Sequence, residues 1–255
     1  MRQWILTHAR LTFWLWCLPS LILLVWHAAG MEGEGLLTAY AFFVLWVAAG
    51  VWGINVALCG WARKPAFQAL DEDCDPEPLL KLCRSVLKQN PKSLFYRVFE
   101  GYALALLGRR EEAEASAHMA AEQPRLWKSP PLLAVWLTLI PGEHPERERG
   151  EQALDRLGRR LSPKKRAVLD RARTMRERSA QMEEEPAGLE RQLLADLEQA
   201  GCTREQVAAH LALGLYYVKR DPHAAQEHLS FVLARGNKLA ARREAERLLC
   251  GLPVE

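Results

Sequence analysis

Two stretches of this chain carry no Asp, Glu, Lys or Arg: Leu11 to Met31 and Gly35 to Ala62. Each is about 20 residues or longer, enough at about 1.5 Å per helical residue to span a hydrocarbon core of roughly 30 Å. Few folds accommodate such runs, because a helix apolar on every side must be covered by lipid or by a large protein core. The expectation is a transmembrane helical hairpin, residues 1–64, with spans at about 11–30 and 36–62. Seven of the nine tryptophans precede Arg63, several of them near the ends of the runs, where an amphipathic ring suits the headgroup level.

Orientation follows from basic residues at the span ends. Arg2 and Arg10 precede the first run, Arg63 and Lys64 follow the second, and the short turn between them holds only Glu32 and Glu34. Both termini are therefore expected in the cytoplasm, with the turn outside, in a cell membrane such as the bacterial inner membrane. A signal-peptide reading of the first run, with Ala28-Ala29-Gly30 as cleavage site, would leave the second span and the same location for the remainder of the chain. Ala49, Gly53 and Ala57 recur every fourth residue, a stripe of small side chains on which another span can pack. His27 and Asn55 lie near span ends and read as interfacial.

The remaining chain is charged and follows helical periodicity throughout, so the fold class expected is all-α. Residues 65–78 read as an acidic linker broken by prolines. Residues 79–255 form helices punctuated by Pro and Gly: Leu79–Leu87, Phe95–Leu106, Arg110–Ala120, an apolar Pro130–Ile140, Pro145–Leu161, a helix from Pro163, and Leu189–Leu197. After them come a helix opened by Thr203 with Gln206, one capped by Asp221, and Leu239–Leu249.

Within this part, Ser93 to Pro124 resembles a tetratricopeptide repeat. Gly101 stands at the close helix crossing, Ala113, Ala117 and Ala120 at the small positions of the second helix, and Pro124 closes the unit. Pro91 closes a preceding half-repeat at nearly the family period of about 34 residues. Leu213-Gly214 with Tyr217 repeats the core pattern. Departures are Leu104 where Tyr is usual, Arg97 and His210 where Trp is usual, and Pro124 one place early. The resemblance implies an α-solenoid of antiparallel helix pairs whose concave face binds a peptide or helix of a protein partner. It places Tyr102, Tyr216 and Lys219 on that face.

Enzyme motifs are absent: no G-x-S-x-G, Walker A, G-x-G-x-x-G or H-E-x-x-H occurs, and the histidines have no metal-ligand spacing. No catalytic residue, cofactor or metal is expected. The six cysteines form no C-x-x-C pair and read as reduced. Basic residues gather at Arg159, Arg160, Lys164, Lys165 and Arg166. A solvated helix face is the first reading of that patch, anionic lipid or an acidic protein the second. Nucleic acid comes last, because stacking aromatics are missing. The chain reads as a membrane-anchored scaffold or adaptor; the alternatives are an accessory subunit of a larger membrane complex and an enzyme of unrecognised type. A cysteine introduced at Gly33 is expected to react with an impermeant maleimide in intact cells; protection there overturns the orientation.

Overall fold

The structure is a computed structural model. It describes residues 6, 9–28, 34–140, 144–159, 166 and 188–252, with only part of the side chains in the two N-terminal helices. It is all-α, with no strand among the described residues. The chain divides into two compact units between Pro65 and Ala66.

In the first unit, α1 (Ala9–Ala28) holds Pro19 in its interior; α2 (Glu34–Asp71) starts in the first unit and ends in the second. Among the described residues, no helix is long and apolar enough to cross a membrane. Many of the described side chains are nevertheless large, apolar and exposed: Trp14 is 63% exposed, Ile22 66%, Trp26 80%, Leu45 68% and Trp52 72%. His27 and Asn55 lie outside the described side chains.

The expected linker is not a linker along its first half. Helix α2 continues through Pro65 to Asp71. A proline inside a helix removes a hydrogen bond and costs about 3 kcal/mol. Burial beyond it offsets that: Leu70 is 1% exposed and Ala66 8%, and Phe67 stands edge-on to Phe99 at 5.2 Å. Burying one Leu is worth about 1.5–3 kcal/mol, so tertiary packing overrides the local signal.

The second unit consists of α3 (Glu77–Gln89), α4 (Leu94–Leu106), α5 (Arg110–Ala121), a 3-10 turn Leu126–Lys128, α6 (Pro130–Leu137) and α7 (Pro145–Gly158). Helices α8 (Leu189–Glu198), α9 (Thr203–Tyr217), α10 (Pro222–Arg235) and α11 (Ala240–Cys250) follow among its described residues. Successive helices pack as pairs: α3 with α4, α4 with α5, α6 with α7, and α8 through α11 each with the next. The helix expected from Pro163 lies outside the described residues. Asp221 caps α10 as expected, its Oδ1 accepting from His223 N and Ala224 N at 3.1 Å. Thr203 does not cap α9. Cys202 holds the cap position with no side-chain bond, and Glu205 Oε2 instead accepts from Gly201 N at 2.9 Å.

Two of the apolar cores fix most of the helix positions. One surrounds Trp136, fully buried against Val98, Ala117, Ala120, Leu126 and Leu133. Its indole Nε1 donates to Ala117 O at 2.9 Å, which answers the polar atom that burial would otherwise orphan. The other gathers Cys74, Val207, Leu229, Val232, Leu239 and Ala245, with Leu106 packed against it. Its members come from both ends of the unit, so the last helices return onto the first. Asn237 Nδ2 donates to Asp73 O at 2.8 Å, Lys238 Nζ lies 2.8 Å from both Asp75 Oδ2 and Glu77 Oε2, and Arg243 donates to Leu107 O. Through Arg243 the charged side of α11 is in part a contact surface.

Both glycines singled out in the sequence stand where helices cross most closely. A Cβ on Gly101 would lie 2.8 Å from Leu139 Cδ1 and 3.3 Å from Ala113 O; one on Gly214 would lie 2.6 Å from Leu229 Cδ2 and 2.8 Å from its Cγ. Leu229 is fully buried and has nowhere to move. Overpacking costs about 1–3 kcal/mol, while Ala gains roughly 0.5–1 kcal/mol over Gly inside a helix. Gly214→Ala is therefore expected to destabilise by about 1–2 kcal/mol in denaturant unfolding. Gly158→Ala, where nothing lies within 4 Å, is expected to be neutral or slightly stabilising.

Candidate functional site

Of the three residues assigned to a partner-binding face, each sits differently. Tyr102, half-buried on α4, has its phenol oxygen accepting from Arg204 Nη1 at 3.1 Å, and burial pushes its pKa up. Arg204, on α9, also donates from Nε to Asp71 Oδ1 at 2.9 Å. Tyr102 thus belongs to the contact that joins α9 to the end of α2. Tyr216 lies half-buried beneath the Arg220 guanidinium, 4.0 Å from the ring centroid, and edge-on to Tyr217 at 5.2 Å. Lys219 is exposed. Tyr102 packs against the Trp136 core, Tyr216 against a small core of Leu189, Leu193 and Leu213.

The basic patch is described at Arg159 and Arg166; Arg160, Lys164 and Lys165 lie outside the described residues. Arg166 is turned onto the end of α7, its Nε donating to Gly158 O and its Nη2 to Arg159 O, both at 3.1 Å. A guanidinium there answers the partial negative charge of a helix C-terminus. The arginines that do face open space line a cavity of about 540 Å³ with Trp127, Ala153 and Leu157. They are Arg149, Arg156 and Arg159. Arg149 lies over the Trp127 ring at 4.4 Å. Among the described residues none of the three forms an ion pair. Arg156 Nε donates to Gln152 O at 3.2 Å. An aromatic floor with three guanidinium groups suits a carboxylate or phosphate. The sequence signal was present in the Arg-rich helix, but Trp127 lies 22 residues before Arg149 and only the fold brings them together.

Two histidine groups were not legible at all. His210 on α9 and His228 on α10 meet at 2.9 Å between their Nδ1 atoms. His210 stacks on Phe231 at 3.9 Å, and Tyr217 stacks on His228 at 5.7 Å with its hydroxyl bonded to Glu190. Burial, with His228 as second cause, pulls His210 down to about 4; burial also lowers His228, against the opposing pull of Glu227. The second group joins His118, near the end of α5, to His144 and Glu146 at the start of α7. One ligand atom of each lies within 4.8 Å of the others.

Along α2, Ala49, Gly53 and Ala57 are all exposed, and nothing lies within 4 Å of a Cβ built on Gly53.

No protein-family model, no curated protein and no solved structure matches this chain.

The histidine pair sets a pH dependence. Both rings are held neutral in the fold, whereas the unfolded chain protonates them near about 6.5. Stability is thus fully present above about pH 6.5 and is lost as pH falls toward about 4. Carboxylates such as Glu112 and Glu244, which their arginine partners hold below the ordinary range, titrate later. The melting temperature is expected to fall between about pH 6.5 and about pH 4.5, and His210→Gln to flatten that slope. An identical slope in the variant would remove the pair as its cause.

Proposed function

We propose that this chain is a membrane-anchored adaptor. A hairpin of α1 and α2 holds a tetratricopeptide-like helical unit at the cytoplasmic face, where the unit binds a protein partner. The observation that carries the reading is the uncovered apolar surface of the two N-terminal helices, from Trp14 and Trp26 to Leu45 and Trp52. Exposing such a surface to water is costly at about 25 cal/mol per Å², and patches of this kind mark membrane or protein contacts. The reading rests on the complete helix sequences, which carry no charge from Leu11 to Ala28 or from Gly35 to Ala62, rather than on the described side chains alone.

The close crossings at Gly101 and Gly214 support the tetratricopeptide resemblance. The cavity beside Trp127 supports an acidic segment as the partner's contact. Its three arginines, which form no ion pair among the described residues, supply charge, and its aromatic wall supplies apolar contact, the combination enriched at interfaces. Tyr102 is not kept in the partner face, because its hydroxyl already holds Arg204.

A second reading has its own observation. The open space at Gly53 in the stripe Ala49, Gly53, Ala57 suits close approach of another span, as in an accessory subunit of a larger complex.

The full chain is expected to stay with membranes through an alkaline carbonate wash, and a chain shortened to begin at Ala66 to be released. Cross-linking from native membranes should then recover one stoichiometric partner. Loss of that partner on Arg149→Glu with Arg156→Glu supports the adaptor; loss on Gly53→Leu supports the subunit. Release of the full chain by carbonate sinks the anchor.

A further inference from the structure

We infer that His118, His144 and Glu146 form a binding site for a zinc-class divalent metal ion between α5 and α7. His118 and His144 stand 26 residues apart along the chain (144 − 118), yet the ligand atoms of all three residues cluster within 4.8 Å. His118 Nδ1 lies 3.5 Å from Glu146 Oε2, and the two imidazole rings are 5.1 Å apart at a tilt of 53°.

The independent sign is Glu146 Oε2. It is buried and accepts no hydrogen bond, and among the described residues no other buried side-chain nitrogen or oxygen is left so. His118 is near enough for ionic contact but does not bond to it. A buried carboxylate oxygen that accepts no hydrogen bond is costly to leave. A cation seated between the three groups would satisfy it directly.

The donor set selects the ion. Two imidazole nitrogens and one carboxylate oxygen suit Zn²⁺ and its first-row neighbours, whereas Ca²⁺ and Mg²⁺ call for oxygen-rich sites. Bonds of about 2.0–2.1 Å in tetrahedral arrangement separate the ligand atoms by roughly 3.3 Å. The His118–Glu146 distance already matches, and the exposed side chain of His118 is free to close the wider gaps. His144 Nδ1 now accepts from Glu146 N at 3.2 Å. The metal takes over that lone pair, which exchanges a long capping bond for a coordinate bond. Three protein ligands leave a fourth position for water, the open arrangement of zinc sites that bind or activate a further ligand.

The test is zinc titration of the metal-stripped full chain in detergent, with Co²⁺ substitution to read coordination from the visible spectrum. One equivalent is expected to bind, with the absorption of a four- or five-coordinate nitrogen and oxygen site, and Mg²⁺ not to compete. His118→Ala and Glu146→Gln are each expected to weaken binding at least about tenfold and to leave the circular dichroism unchanged. His210→Ala is expected to change nothing. Absence of a bound equivalent, binding insensitive to both His118→Ala and Glu146→Gln, or binding lost with His210→Ala instead would each overturn the site.

Discussion

Everything in the second unit depends on how the short segment from Asp71 to Glu77 is held. It joins the end of α2 to α3, and the C-terminal helices close over it. Cys74 sits there with φ of +53°, a left-handed conformation that costs an L-residue roughly 1–2 kcal/mol. It is fully buried among Val207, Leu229, Val232 and Leu239, and that core supplies the compensation. Bonds spanning 133 residues from Arg204 to Asp71 and 164 from Asn237 to Asp73 bring the two ends together. Loop closure grows only logarithmically, so pairing across about 160 residues rather than 30 costs roughly 1.5 kcal/mol more. One buried Leu offsets that. The Lys238 pairs are solvent-screened and add little stability. Apolar burial closes the unit; the charges select where it closes.

That closure explains which features are readable in the sequence. Helix positions follow from periodicity and from Pro and Gly punctuation, and α3, α4, α5 and α10 stand close to where those signals put them. Gly101 and Gly214 are readable as close crossings because only a missing Cβ permits approaches of 2.6–2.8 Å. The acids at 71–77 read locally as a solvated linker, since nothing nearby reveals that Arg204 and Lys238 arrive from the far end of the chain. The continuation of α2 through Pro65 is hidden for the same reason: local proline rules are outweighed by burial of Leu70 and by Phe67 contacts formed only in the fold.

The same distinction separates the candidate sites. A motif search looks for ligands at fixed short spacing along one helix. His118 and His144 are on different helices, as are His210 and His228, so no spacing rule finds either pair. Trp127 and Arg149 meet across a turn and the helix α6. Arg166, by contrast, is visible as part of a basic run yet spends its donors on the carbonyls ending α7. Counting charges in sequence therefore does not separate Arg166 from the arginines that line the cavity beside Trp127.

Arg204 shows why a polar contact persists in a place where burial alone would serve. Arg204 is half-buried and its partner Asp71 more exposed still, so the pair adds little net stability. The guanidinium fork, however, can be satisfied only if Asp71 and the Tyr102 hydroxyl stand where they do, 2.9 and 3.1 Å away. Leu and Val side chains of the core tolerate sliding of α9 against α4 with modest loss, whereas a displaced Arg204 gives up its bonds to Asp71 and Tyr102 together. The pairing thus penalises alternative registers more than it stabilises the chosen one. It fixes α9, and through the Gly214 crossing it fixes α10, so that His210 and His228 meet at one distance. In a unit whose ends meet over a separation of 133 residues, such register control is what distinguishes one packing of similar amphipathic helices from another.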